Sequence, residues 1–401
     1  MTARGLERRL KRHVYKAQQN YFAVCAPGTE ALLYREVLAL PGVVAPQMLP
    51  GGVEFSGSLE LLYHAHLQLR CAHRVLLRLE DFLAQSYPML FNKALRLPWE
   101  HYLGFTESYS LRVSAKASRL RHHKRLAETL QSAISQALAP LGLQPQQQPQ
   151  ATLELHVRMF QDRCSLSLNS SGAHLHQRGY HQQKTRAPLR ETLAASLLEA
   201  LDMHAYTLIL DPMCGSGTLL CEAAQRACGL PAGHLRRFAF EALPFFQASK
   251  WQRLRTQALS QQHEATLSLY GTDIDPAALQ AAKHNAHTAG VAELIHWQHQ
   301  DARVLPYTAL LAQARQQHQR PTAPGLVLCN PPYGRRLGNL TETRQLYQTL
   351  LEAWQQQAQG YDIALLTPHR AWLEDSPLRW ETLLHCRNGG IPVYLLRSSL
   401  R

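Results

Sequence analysis

Apolar positions follow one spacing in the first half of the chain and another in the second. "YFAVCAPGTEALLYREVLAL" reads as strand, turn and amphipathic helix, with Ala31, Leu32, Leu33, Val37 and Leu38 grouped at helical spacing. "GGVEFSG" alternates like a short strand, and "LELLYHAHLQLRCAHRVLLRLEDF" reads as a helix feeding a strand. "YSLRVSAKASRLRHHKRLAETLQSAISQAL" repeats the pairing of strand and helix. Pro140 to Gln150 form a polar loop, and "ATLELHVRMFQDRCSLSLNSSG" holds two alternating runs parted by "QD", the signature of a hairpin. These runs predict an α+β domain.

After a connecting stretch, "RGYHQQKTRAPLRETLAASLLEAL", the runs become short, continuous and apolar. "YTLILDPMCGSGTLLCEAAQRA" is a buried-type strand, a glycine loop and a helix; "TLSLYGTDIDPAALQAAKHNAHTAG" is a strand, an acidic turn and a helix. "ELIHWQHQD", "GLVLCN" and "DIALLTP" supply further strands. Strands alternating with helices predict a parallel sheet covered on both faces. The organisation read from the pattern is a basic extension over residues 1–20, an α+β region over 21–172, a connecting segment over 173–190 and an α/β domain over 191–401.

Charge sharpens this division. Residues 1–186 carry 23 basic and 12 acidic side chains, whereas residues 187–401 carry 19 and 17. An excess of +11 in under half the chain predicts a polyanion-binding front, because clustered cations release counterions from phosphates and guanidinium groups fork onto them. Arg112, Lys116, Arg119, Arg121, Lys124 and Arg125 crowd one strand-to-helix turn and are the candidate contacts. The first twenty residues lack the apolar stretch of a secretory signal, and no run approaches a membrane span, so a cytoplasmic protein without membrane contact is expected. The eight cysteines form no CxxC pair; Cys214, Cys221 and Cys228 at steps of seven read as one side of a helix, and no metal is expected.

Ligands of open α/β sheets bind beyond the carboxyl ends of the strands, and the unusual residues fall there. In "DPMCGSGT", Gly215 and Gly217 let backbone approach a ligand, and the helix starting near Thr218 offers unpaired N–H groups. The loop is neither GxGxxG nor a phosphate-cradling GxxxxGK[ST]. Asp273 ends a strand where a carboxylate can accept both hydroxyls of a ribose, and Asp301 ends another where it can accept from the amino group of an adenine. Asp275, followed by Pro276, reads as a helix N-cap. Each aspartate singly also suits a cap or surface turn; three at successive strand ends form a ligand pattern.

Together "DPMCGSGT", "GTDIDPAALQAAKHNAHTAG", "QDA" and "NPPYGRRLG" resemble the class I S-adenosylmethionine-dependent methyltransferases of the NPPY type. The resemblance implies a Rossmann-like domain with a seven-stranded, mostly parallel sheet, in which "GGIPVYLL" forms the antiparallel last strand. It implies cofactor contacts from Asp211, Cys214, Gly215, Ser216, Gly217 and Thr218, with the glycines beneath the methionine part. Asp273 with Ile274 would take the ribose, and Asp301 with Ala302 the adenine. A ring-bound amine is a poor nucleophile because its lone pair is conjugated with the base. The Asn330 side-chain oxygen and the Pro331 carbonyl can each accept one N–H, favouring the pyramidal nitrogen. Pro331 and Pro332 fix φ and so hold those acceptors in advance, and Tyr333 is expected to stack on the base.

The front half narrows the substrate. "YFAVCAPGTEALLYREV", "GGVEFSGSLELLYHAHLQLRCAHRVLLRL" and "SRLRHHKRLAETL" resemble the ferredoxin-like and THUMP region of the RlmL-type 23S rRNA guanine-N2 methyltransferases. "RGYHQQKTRAPLRETLAASLL" and "RRFAFEALPFF" match that family's connecting and inserted segments. The implied activity is methyl transfer to a guanine N2 in 23S rRNA or a large-subunit assembly intermediate; separately, a monomer is the favoured expectation. The basic first twenty residues are extra to the pattern and are expected to be an RNA-binding arm or disordered. The second methyltransferase activity of fused relatives is expected to be absent. The alternatives are a tRNA guanine-N2 methyltransferase, a DNA adenine-N6 methyltransferase, and a non-catalytic RNA-binding assembly factor.

Overall fold

The computed structural model describes all residues except 1, 2, 16, 105, 184–188, 334–339 and 401. Two compact units are present: one of Met1–Cys25, Tyr34–Leu175 and Arg236–Thr256, the other of Ala26–Leu33, His176–Leu235 and Gln257–Arg401. The residues around 236–256, expected to belong with the α/β domain, thus fold with the front of the chain. The cause is aromatic packing. Phe238, Phe240 and Trp251 close on Tyr63 and His66 of the Leu59–Gln68 helix, with the Phe240 ring centroid 5.2 Å from Tyr63 and 4.9 Å from His66. Rings at such spacing bury large apolar areas.

The front unit is built on β1 (Gln19–Val24), β2 (Val44–Leu49), β3 (Gly52–Gly57), β4 (Arg74–Leu83), β5 (Ser108–Lys116), β6 (Gln146–Gln147), β7 (Leu153–Phe160) and β8 (Arg163–Asn169). They form one sheet in the order β2-β3-β1-β4-β8-β7-β5-β6, antiparallel except where β5 pairs with β6 and β7. The β7–β8 hairpin turns on Gln161 and Asp162, both at positive φ (48° and 61°), the mirror-image turn whose twist matches the strands. The His123–Leu138 helix buries Leu126, Leu130, Ala133, Ile134 and Leu138, an i, i+4, i+7 stripe; each leucine so buried contributes roughly 1.5–3 kcal/mol.

Three features differ from the pattern-based reading. Within the stretch read as a polar loop, Gln146–Gln147 pairs with β5 at the sheet edge. β2, with a proline inside it, is an edge strand whose register shifts between Val44 and Gln47, so a bulge absorbs Pro46. The basic extension is neither a disordered tail nor a free arm over Ala3–His13: it is a helix whose Leu6 and Leu10 are buried and whose Arg9 is ion-paired with Glu100.

The second unit holds β9 (Leu208–Asp211), β10 (Ser268–Asp273), β11 (Ile295–His299), β12 (Gly325–Cys329), β13 (Tyr361–Thr367), β14 (Glu381–Asn388) and β15 (Ile391–Ser399). Their order is β11-β10-β9-β12-β13-β15-β14; the first five are parallel, and β15 lies antiparallel to both β13 and β14. This is the seven-stranded, mostly parallel arrangement expected, including the antiparallel last strand. Connections run outward in opposite directions from β9 and β12, which makes the carboxyl ends of these neighbours the switch point where ligands bind. Beneath it Leu208, Leu210, Val327, Ile363, Leu365 and Trp354 are buried in one core. The polar atoms of its aromatics are satisfied: Trp354 Nε1 donates to the Tyr307 hydroxyl (2.7 Å), which donates to the Ala302 carbonyl (2.6 Å).

Candidate active site at the carboxyl edge of the parallel strands

β9 delivers Asp211, β10 delivers Asp273, and the chain leaves β12 directly into Asn330. The loop after Asp211 is shaped by its glycines, at φ +54° for Gly215 and +79° for Gly217. Their roles differ. A Cβ on Gly217 would lie 2.8 Å from the Trp297 ring and 3.0 Å from Ala282 Cβ, so this glycine is required by packing; beside Gly215 nothing lies within 4 Å, which leaves backbone open to a ligand. Asp273 braces the loop. Its Oδ2 accepts from Gly215 N (2.8 Å) and its Oδ1 from Asp275 N (2.9 Å). Asp275 is the N-cap expected, its side chain accepting from Ala277 N at 2.9 Å with Pro276 in the first turn.

The remaining cofactor candidates separate by exposure. Ile274 is 63% exposed, an apolar face presented beside the ribose candidate, whereas Ala302 is 7% exposed and belongs to the core. Ser216, Thr218 and Cys214 are buried, and the Thr218 hydroxyl has no hydrogen-bond partner. Burial pushes the Cys214 thiol well up, so it is neutral. Burial also pushes the Asp211 carboxyl up to about 8, against a lowering bond from Met213 N; neighbouring Asp273 adds to the rise. Asp301 has a partner the pattern did not suggest. Arg303 donates to it through its backbone N (2.9 Å) and its guanidinium, and the hydrogen bonds hold the Asp301 carboxyl below its ordinary range. An adenine amine would meet a carboxylate already engaged by a cation.

At the acceptor end, Asn330 Oδ1 is buried and makes no hydrogen bond. A buried unpaired oxygen costs about 1–3 kcal/mol, a penalty that an incoming N–H donor relieves. Pro331 is buried as well. Tyr333 is 3% exposed and its hydroxyl accepts from Asn388 Nδ2 at 2.7 Å, so the ring expected to stack on a base is packed on β14 here. Gly334 to Gly338 of the same motif lie outside the described residues. The pattern missed His369. It follows β13, whose Leu365 pairs with Cys329, and its ring stacks on Trp372 at 3.7 Å between centroids with Nε2 buried and unbonded. "TPHRAW" after a buried strand was the available signal.

The six basic candidates lie in the front unit and all are exposed. Arg112 and Lys116, four apart on β5, share a face; Arg112 Nε is 3.5 Å from Glu154, and Arg119 Nε is 3.5 Å from Asp162. Arg125 lies over the Tyr87 ring at 4.1 Å, while Arg121 and Lys124 stand in solvent at the start of the His123–Leu138 helix. Among the described residues no helix is long and apolar enough to cross a membrane. The cysteine spacing has a different basis from the one expected: only Cys221 is within the Thr218–Ala227 helix, Cys214 precedes it and Cys228 caps it, though all three are buried.

An open backbone at Gly215, an unpaired Thr218 hydroxyl and an exposed Ile274 fit a ligand with polar and flat apolar parts, as S-adenosylmethionine has. Residues 178–377 match the family model described as RMKL-like methyltransferase domain, and residues 20–76 match the RlmL ferredoxin-like domain. A Synechocystis protein that carries a provisional RNA methyltransferase name is 30% identical over 95% of this chain and 96% of its own length. The ribosomal RNA large subunit methyltransferase K/L of Shewanella frigidimarina is 32% identical over 95% of this chain, which spans only 53% of that relative. A solved Listeria monocytogenes structure, described as a predicted N6-adenine-specific DNA methylase, superposes with a TM-score of 0.81 at 27% identity, covering 94% of this chain and 96% of that one. The chain belongs to the RMKL-like methyltransferase family with an RlmL ferredoxin-like front, and its cofactor is S-adenosylmethionine.

Proposed function

We propose that this protein methylates the exocyclic N2 of a guanine in 23S rRNA, free or within a large-subunit assembly intermediate, as a cytoplasmic monomer. The observation that carries the chemistry is the buried, unpartnered Asn330 Oδ1 directly after β12. The cofactor supplies an electrophilic methyl on sulfur. Asn330 Oδ1 and the Pro331 carbonyl accept the two N–H bonds of the amine, drawing its lone pair out of conjugation and toward that methyl. The prolines hold both acceptors before substrate arrives, so little reorganisation accompanies the reaction. As the C–N bond forms the S–CH3 bond would break, releasing a neutral thioether; the same acceptors would stabilise the charge gained by the nitrogen until its surplus proton passes to water.

RNA as the substrate class is supported by the +11 charge of residues 1–186, by the exposed cations around Arg119 to Arg125, and by the names of the Synechocystis and Shewanella relatives. The front unit is read as the RNA-binding part. The test is incubation with radiolabelled S-adenosylmethionine and total RNA lacking the modification, followed by separation by size and digestion to nucleosides. N2-methylguanosine from 23S rRNA is the expected product. Label in tRNA would keep the chemistry and replace the target, and N6-methyladenine in added DNA would replace both.

A further inference from the structure

Three buried side chains from separate stretches of the second unit form a hydrogen-bonded line that ends in the cofactor loop. Glu191, the first residue of the Glu191–Leu201 helix, lies 3.2 Å from His181 Nδ1, and His181 Nε2 lies 3.2 Å from Ser216 Oγ. Glu191 and Ser216 are each 4% exposed, and the His181 side chain is 8% exposed. We infer that Glu191 and His181 fix the direction of the Ser216 hydroxyl, making Ser216 an acceptor for the ammonium end of the cofactor. The inference rests on the reading that the glycine loop carries the cofactor's amino-acid end.

The chemistry follows from who can donate. A carboxylate oxygen offers only lone pairs, so the tautomer that bonds Glu191 carries its proton on Nδ1. In that tautomer Nε2 carries no proton and accepts a hydrogen bond from the Ser216 hydroxyl. With that proton committed, Ser216 Oγ has only lone pairs left, and these suit an ammonium and repel a carboxylate.

The ring has little freedom to leave this line. It stacks on Tyr180 at 6.2 Å and 5°, and the Tyr180 hydroxyl donates to Glu222 (3.1 Å), itself bonded to Arg178. The adjoining backbone is clamped too. Asn285, fully buried, accepts from Gln182 N and Gln183 N (both 3.2 Å) and donates to the carbonyls of Gln183 (3.0 Å) and Ser216 (3.1 Å). Residues 181–183 are thus pinned to the cofactor loop through side chain and backbone. The arrangement is read as positioning: His181 and Glu191 aim the Ser216 hydroxyl, which takes no part in bond making.

The test is calorimetric binding of three ligands to the full chain: S-adenosylhomocysteine, decarboxylated S-adenosylmethionine, which keeps the ammonium and lacks the carboxylate, and methylthioadenosine, which lacks both. His181→Ala is expected to weaken the first two by about tenfold or more, the worth of a hydrogen bond to a charged group, and to leave methylthioadenosine unchanged. Glu191→Gln is expected to give the same ranking with a smaller loss. Adding His181→Ala to Ser216→Ala is expected to cost nothing further. Equal losses for all three ligands, or no loss, would overturn the inference. So would a loss for S-adenosylhomocysteine without one for the decarboxylated ligand, since the partner would then be the carboxylate. Failure of the unmutated chain to bind any of them would instead overturn the cofactor site itself.

Discussion

Two carboxylates, one in each unit, are held in opposite ways. In the front unit Glu154 is bonded by His156 at 2.6 Å and flanked by Arg112 and Arg74, and the His156 bond foremost holds it down to about 2. In the second unit Asp211 sits 2% exposed at the end of β9, receives one bond from Met213 N and is pushed up to about 8 by burial. The first belongs to a surface whose charges are paired and whose excess is positive. The second belongs to a site that buries polar atoms ahead of their partners, as Asn330 Oδ1 and the Thr218 hydroxyl do. Affinity for a polyanion needs only exposed charge, whereas chemistry on a single amine needs acceptors already stripped of water.

The sharpest test of that contrast lies at Asn330. Asn330→Ala is expected to reduce turnover about 10²-fold or more, by analogy with removing a preorganised oxyanion donor, with S-adenosylhomocysteine affinity near normal by calorimetry. A normal rate would remove Asn330 from the mechanism. The two glycines of the loop give the next largest effect. Gly217→Ala meets Trp297 as well as an unfavourable φ and should cost about 2–4 kcal/mol by denaturant unfolding, while Gly215→Ala, with open space, should cost about 1 kcal/mol and act mainly on cofactor affinity. Equal stability losses would mean the loop is closed at both positions.

Titration should separate the units themselves. Glu154, with a depressed folded value, adds stability above its unfolded pKa of about 4.5 that is lost as pH falls toward about 2. Asp211, with a raised folded value, holds a proton in the folded state that the unfolded chain releases; its contribution is present below about 4 and is lost as pH rises through about 8. Hydrogen exchange followed by mass spectrometry should therefore show the Glu154 strands loosening first in acid, and the Asp211 strands loosening progressively as pH rises from about 4 to about 8. Asp211→Asn should abolish the second effect. Smallest is the change expected from neutralising Arg119, Arg121, Lys124 and Arg125 together: weaker RNA binding with a shallower salt dependence, and unchanged S-adenosylhomocysteine binding. An unchanged salt slope would move the RNA surface elsewhere.

What the chain discloses before folding depends on how local its cause is. The parallel sheet, the Asp275 cap and the Gln161–Asp162 turn all follow from spacing within a few residues, and all were readable. β2 was not, because Pro46 reads as a breaker unless an edge position and a bulge are known in advance. The helix over Ala3–His13, with Leu6 and Leu10 buried, was hidden by its charge, although these two leucines already stand four apart. Asp273 and Asn330 declared themselves by their place after apolar runs. Their present partners did not, since Gly215 N comes to Asp273 from 58 residues away and Asn388 comes to Tyr333 from 55. The Arg303 grip on Asp301 was within two residues and could have been weighed.

The aromatic cluster of residues 238–251 has a consequence for how the protein is made. The helix bearing Tyr63 and His66 leaves the ribosome long before Phe238, Phe240 and Trp251 are synthesised. Until then Tyr63 and His66 lack these aromatic partners, although the sheet beside the helix is complete in sequence by Asn169. Nascent chains normally finish one domain before the next begins. Here the first unit must wait for a stretch encoded inside the second, so a fragment ending near residue 175 should emerge sticky and dependent on chaperones, and dividing the chain into its two units would require grafting Arg236–Thr256 onto the first and Ala26–Leu33 onto the second.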